Sequence, residues 1–253
     1  ETPKAKGGIL GRIIAPTPEH LNIAFIHQLD TASSGWSKAH DEGREHLEQV
    51  MGSAVTTRSY FGANTPEQVE AALEQAVAEG AQVVFTTTPQ MGRPTLKVAV
   101  RHPKVRFLNC SVDTPYTSIR TYYSRLYEGK FITGAIAGAM ANNDHIGYIA
   151  SYPIFGEPAS INAFALGAQM TNPRAKIDLR WSCQAGRPIT DFVSKGIRVI
   201  SNREVPSQEQ IHMDFCNFGT YQIEDDGLLT PLASPCWMWG KFYETVVRSI
   251  MSG

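Results

Sequence analysis

The stretch Leu21–Asp41, LNIAFIHQLDTASSGWSKAHD, decides how the rest of the chain is read. Its first part, Asn22 to His27, reads as a strand. The run Ile23-Ala24-Phe25-Ile26 is too continuously apolar to alternate, as suits a strand covered on both faces in a parallel sheet. Asp30, Thr31, Ser33 and Ser34 follow, and small polar side chains of this kind cap helices. A helix then begins near Gly35, with Trp36 in its first turn. Open parallel sheets bind ligands at the carboxyl ends of their strands. An indole held there, beside free backbone N–H groups, is a candidate ligand wall. The plainer alternative is a half-buried packing residue, and this stretch alone leaves both open.

Outward from it the pattern repeats. The helix Trp36–Met51 is followed by strand Val55–Phe61 and helix Thr65–Glu79. Thr65 is a good cap, Pro66 suits the first helical position, and Gly80 is a good stop. Strand Ala81–Thr86, helix Pro94–Arg101, strand Val105–Asn109 and an extended piece Ser118–Tyr123 come next. This β-α-β-α rhythm predicts a right-handed, doubly wound parallel sheet. A helix rich in Gly and Ala, Tyr127–Met140, follows. The rhythm restarts with strand His145–Ala150, helix Ala159–Thr171, strand Ala175–Trp181, helix Ile189–Lys195 and strand Ile197–Ser201. A helix near Pro206–His212 and a strand Met213–Phe218 are predicted next. The turn Asp225-Asp226-Gly227, an extended Leu228–Ala233 and the helix Trp239–Met251 end the chain, with Phe242, Val246, Val247 and Ile250 on one face of that helix.

The fold class is therefore α/β, with two doubly wound parallel-sheet lobes joined by a hinge. Residues 1–20 read as a lead-in. Residues 21–143 with 226–253 form the N-terminal lobe, and 144–225 the C-terminal lobe. A cleft between such lobes is a common ligand site.

Composition narrows the function. The 253 residues are 42% hydrophobic and 19% charged, with net charge -1, which is ordinary for a globular chain. No run approaches the ~20 apolar residues of a membrane helix. No basic tract points to nucleic acid. The four cysteines, Cys110, Cys183, Cys216 and Cys236, are widely spaced and form no ligand pattern. Neither a metal site nor a cofactor is expected. Cys110 and Cys216 read as small buried hydrophobes. His40 and His46 are not four apart, so a zinc pair is not indicated. His27 reads as a hydrogen-bonded core histidine, and Arg125 with Glu128 as a solvated intrahelical pair.

Five segments in order carry a family resemblance. SGWSKAHDEGR (Ser34–Arg44), VVFTTTP (Val83–Pro89), YYSRLYEGKFITGAIAG (Tyr122–Gly138), INAFALGAQMTNP (Ile161–Pro173) and WMWGKFYETVVRSIMSG (Trp237–Gly253) resemble segments of the basic membrane protein family. These are substrate-binding lipoproteins of ABC transporters with a type I periplasmic-binding fold. The chain departs from the family pattern in a shorter stretch between Trp181 and Gly196. It also stops at Gly253, where members run on for several tens of residues, so a fragment or a short form is expected.

The resemblance implies a small planar ligand, a purine base or purine nucleoside, stacked on Trp36. It also implies a permease partner, an extracytoplasmic location and a lipid anchor on a Cys that this sequence does not contain. Stacking of this kind is worth roughly 1–3 kcal/mol per base. Further candidates stand at strand ends: Asp30 and Ser34 after the first strand, Thr88 and Pro89 after the third, and Asp113 after the fourth. In the second lobe they are Phe155, Glu157 and Asn162 after its first strand, and Asn202 and Glu204 after its third. Trp237 closes either the other face of a flat ligand or the packing of the chain.

Two other readings compete. An enzyme, such as a nucleoside hydrolase, is disfavoured. No G-x-G-x-x-G follows the first strand, no G-x-x-x-x-G-K-[ST] or G-x-S-x-G occurs, and Asp30 stands alone rather than in an acidic cluster. A cytoplasmic ligand sensor, part of a transcriptional regulator, fits the unpaired cysteines.

Overall fold

The computed structural model describes residues 18–112, 116–151, 153, 156–204 and 218–253. The helix expected near 206–212, most of the strand expected at 213–218, and Cys216 lie outside the described residues. The chain divides into two compact units. One is Glu1–Ser111, Pro115–Thr121 and Met238–Gly253; the other is Val112–Thr114 and Tyr122–Trp237.

In the first unit, β1 (Leu21–Ile26), β2 (Val55–Tyr60), β3 (Val83–Thr86), β4 (Arg106–Cys110) and β5 (Ile119–Tyr122) form one sheet in the order β2-β1-β3-β4-β5. Strands β1 to β4 are parallel, with Ile26 opposite Tyr60 on one side and Thr86 on the other. All four residues of β3 are buried, and five of the six in β1. That burial is what the continuous apolar runs demand, because helices cover both faces. Helix α1 (Gly35–Met51) starts where the Ser34 hydroxyl accepts from the Ser37 N–H at 3.1 Å. Helix α2 (Pro66–Ala78) starts with a full capping box between Thr65 and Gln68. Helix α3 (Gly92–Arg101) follows a short 3-10 turn at Pro89–Met91.

In the second unit, α4 (Leu126–Met140) precedes β6 (His145–Ala150), α5 (Glu157–Thr171), β7 (Lys176–Trp181), α6 (Pro188–Ser194) and β8 (Val199–Ser201). Strands β9 (Thr220–Ile223) and β10 (Leu229–Ala233) complete a sheet in the order β10-β9-β8-β6-β7. Strands β7, β6 and β8 are parallel, as expected, but β8–β9 and β9–β10 are antiparallel. The second sheet is thus mixed. Strand β9 was not foreseen, and its hairpin closes through the expected turn, where the Glu224 N–H donates to the Leu228 carbonyl at 2.8 Å and Gly227 takes φ 84. The last helix, α7 (Trp239–Ser252), returns to the first unit and packs on α1. Its buried seam is Trp239, Tyr243 and Val247, one step round from the face expected, with Phe242, Val246 and Ile250 half-buried beside it.

The boundaries expected near 143 and 225 put α4 and β10 with the first unit; in the structure both pack in the second. For α4 the reason is its small residues. Gly134 and Gly138 of α4 and Gly167 of α5 let the two helix backbones touch. A Cβ on any of the three would come within 3.0 Å of a facing carbonyl oxygen, that of Phe164, Ala168 or Phe131.

Replacing Gly with Ala inside a helix ordinarily gains about 1 kcal/mol in propensity. Here the overpacking cost, about 1–3 kcal/mol or more, acts against rigid backbone and wins. Gly167→Ala is therefore expected to lower the urea midpoint, with no such loss for a Gln75→Ala control on the exposed face of α2.

Candidate functional site

The carboxyl edge of the first sheet gathers the residues after β1 and β3. Trp36 is the second residue of α1 and is half-buried. Its indole N–H donates to the Thr87 carbonyl at 2.8 Å, so the loop after β3 pins the ring. His40 meets the ring edge-on at 4.8 Å between centroids, and Trp239 does so at 5.6 Å. His40 itself stacks on Trp239 at 4.2 Å, and its Nδ1 lies 2.5 Å from the Tyr243 hydroxyl. Trp36 is thus both a packed residue and a partly open one, and the two readings of it are not exclusive.

Next to that anchor the structure leaves polar groups unspent. Asn109 donates to the Thr86 hydroxyl at 2.9 Å and to the Thr88 carbonyl at 2.8 Å, which ties the loop after β3 to β4. In this register Thr86 faces Asn109, so two residues on, Thr88 stands beside Ser111. Both are buried, at 8% and 3% exposed, and neither hydroxyl has a partner among the described residues. A buried hydroxyl without a partner costs about 1–3 kcal/mol. Such groups at a strand edge are ready for a ligand.

The other first-unit candidates have local tasks. Asp30 is exposed and accepts from the Ser33 N–H at 2.7 Å and the Ser33 hydroxyl at 2.6 Å, bonds that hold its carboxyl below the usual range. Ser34 caps α1, and Pro89 opens the 3-10 turn.

In the second unit, Glu157 and Glu204 come together around Lys130. Lys130 is 2% exposed, on the sheet-facing side of α4. Its ammonium pairs with the Glu204 carboxylate, donates to the Ser201 hydroxyl at 3.3 Å and lies 4.8 Å from the Tyr148 ring centroid. Glu157 is the first residue of α5. Burial, then the charge of Glu204, push its carboxyl up to about 7, against the opposing pull of Lys130. The Tyr148 hydroxyl is buried without a partner among the described residues, and burial and the two carboxylates push it above the ordinary phenol.

Asn202 spends its side chain on the Arg203 N–H at 2.8 Å. Asn162 is exposed on α5 and does not join the cluster, and Trp237 is half-buried just ahead of α7. Asp113 and Phe155 lie outside the described residues. The sequence reading passed over Lys130, Tyr148, Ser201 and Ser111. Lys130 had a readable signal: a lone cation in register with Gly134, Ala137 and Gly138 on a seam of small residues.

Cys110 is fully buried, as expected. Arg125 and Glu128 form the exposed pair expected, at 3.1 Å. His27 is buried, with Nε2 3.2 Å from the Ser59 hydroxyl and Nδ1 without a partner among the described residues.

Burial drives His27 down to about 4 and His40 well below its ordinary value. Unfolded, both histidines protonate near 6.5, so the unfolded state binds more protons. Stability must then fall as pH drops from 6.5 toward 4. For His27 the loss is about 3 kcal/mol at most. The difference in urea midpoint between pH 7 and pH 4.5 should shrink in His27→Gln.

Three kinds of comparison bear on this geometry. A family model described as "ABC transporter substrate-binding protein PnrA-like" matches residues 20–184. A Haloferax volcanii protein, provisionally named the ABC transporter glucose-binding protein TsgA13, is 28% identical over 249 residues, 93% of this chain and 62% of its own. A purine-binding protein of Brucella abortus is 30% identical over 167 residues, 66% of this chain and 48% of its own. The chain thus spans less than two thirds of either relative. Among solved structures, an ABC transporter solute-binding protein from Conexibacter woesei aligns with TM-score 0.56 at 18% identity, covering 72% of this chain and 63% of that one. A transcriptional activator of the comK gene from Bacillus halodurans aligns with TM-score 0.61 at 16% identity, covering 72% and 62%.

Proposed function

Because the chain belongs to the PnrA-like family of ABC transporter substrate-binding proteins, we propose that it binds a small planar solute, a purine base or nucleoside, for delivery to a membrane permease. The observation that carries the ligand class is the Trp36 ring, pinned by its N–H to Thr87 at the carboxyl edge of β1 and β3 and half-exposed there. A flat heterocycle stacking on that ring gains roughly 1–3 kcal/mol. The unspent Thr88 and Ser111 hydroxyls offer hydrogen bonds beside it, and the purine-binding relative supports this class.

Ligand capture without chemical conversion accords with the family and with a fold of transporter solute-binding proteins. The sheet architecture is shared with a transcriptional activator. The family match, rather than the fold, therefore favours transport over sensing. It also favours an extracytoplasmic site of action. Among the described residues no helix is long and apolar enough to cross a membrane, so the permease is a separate chain in this reading.

A hexose is the second reading, because one relative is named for glucose. An indole face also packs on the C–H face of a pyranose, so Trp36 alone does not choose between the two.

Calorimetric titration with adenine, guanine, adenosine, guanosine, inosine and D-glucose tests both. Binding of a purine or nucleoside at micromolar affinity or better, weakened at least tenfold by Trp36→Ala, is the expected result. Binding of glucose alone would favour the hexose reading. Equal binding by the Ala variant would remove Trp36 from the site.

A further inference from the structure

The buried charges of the second unit call for an account that ligand stacking does not give. Lys130 lies 2% exposed inside a helix whose other buried residues are small or weakly polar. A buried ammonium is costly unless paired and hydrogen-bonded. Here it is fully engaged by the Glu204 carboxylate, the Ser201 hydroxyl and the Tyr148 ring. A cation so occupied is not free to seize an anionic ligand. The carboxylates, in contrast, keep acceptor capacity beyond what Lys130 uses. A second observation is independent of the acids: the Tyr148 hydroxyl, buried at the same place, has no partner among the described residues.

We propose that Glu157, Glu204 and the Tyr148 hydroxyl form one ligand subsite for adjacent hydroxyl groups of a neutral ligand, with Lys130 as its built-in cation. This deepens the binding-protein reading and rests on it. Hydroxyls on neighbouring carbons donate to paired carboxylate oxygens and accept from a phenol in return. A ligand ammonium would compete with Lys130 for Glu204 and add uncompensated positive charge. A bare planar base has no adjacent hydroxyls to offer. Lys130 is a positioning residue, acting through the carboxylates it holds. The groups facing Glu157 are Glu204 from the end of β8, Lys130 from α4, Tyr148 from β6 and the Ser151 backbone. A charged Lys130 opposes the upward push on Glu157, so its removal drives Glu157 further up.

The test is calorimetry of the whole chain against inosine, hypoxanthine, D-glucose and D-glucosamine between pH 6 and 8.5. The wild type is expected to bind inosine or D-glucose at least tenfold tighter than hypoxanthine or protonated D-glucosamine. Lys130→Met should weaken the preferred ligand at least tenfold and move the pH dependence to higher pH. Glu157→Gln should flatten that dependence, and Lys130→Arg should restore part of the affinity. Should Lys130→Met not fold, the neutral double variant Lys130→Met/Glu204→Gln carries the same comparison. Equal affinity for inosine and hypoxanthine, without binding of D-glucose, would overturn this subsite while leaving the planar-solute reading standing. Binding of D-glucose and of no purine compound would sink the planar reading and keep the subsite. No binding at all would overturn both.

Discussion

Parallel pairing of the central strands is the constraint on which each candidate site depends. In the first unit β1 lies between β2 and β3, with Ile26 opposite Thr86. The chain therefore leaves β1 and β3 on the same edge, close enough for the Trp36 N–H to reach the Thr87 carbonyl at 2.8 Å. In the second unit Tyr148 of β6 faces Ser201 of β8, and a cation from α4 touches both. A one-residue slip in either ladder would turn these side chains to the opposite face. Backbone hydrogen bonds, which carry no chemical specificity, thus set the places where specificity is built.

The two edges meet their polar demands differently. In the first unit the groups are neutral: Thr88 and Ser111 keep buried hydroxyls idle while Asn109 braces the loop beside them. In the second they are charged, and Lys130 with Glu204 holds a buried ion pair. A buried pair of this kind contributes little net stability against an apolar replacement, yet removing one partner costs about 3–5 kcal/mol. Retaining it inside an otherwise small and apolar helix is easier to understand as a feature of recognition than of stability.

Most of the scaffold was legible because its elements declare themselves locally. The unbroken apolar runs of β1 and β3, the Thr65-Pro66 start of α2 and the Asp225-Asp226-Gly227 turn each act through short-range physics, and each appears where expected. What escaped depends on partners distant in sequence. Strand β9 is only four residues long and takes its place from antiparallel pairing with β8 and β10. The assignment of α4 to the second unit depends on carbonyls of α5 more than twenty residues away. At the candidate sites, Trp36, Thr88, Glu157 and Glu204 were named from strand ends alone. Lys130 and Tyr148 sit within elements, one on a helix and one in a strand, and ordinary burial logic reads such residues as packing. Asn162 illustrates the converse, since following a strand in sequence did not bring it off the exposed side of α5.

The hairpin at the end of the second sheet carries a separate consequence. Strand β10 is the outermost strand, and it contains Pro231 and a register shift before Ala233. Proline offers no N–H, and an irregular ladder twists away from flatness. A free strand border is otherwise a template onto which a second chain can add its own strand. Here that border is interrupted at its middle, so the open end of the sheet resists self-association through its main chain, whatever the side chains elsewhere are doing.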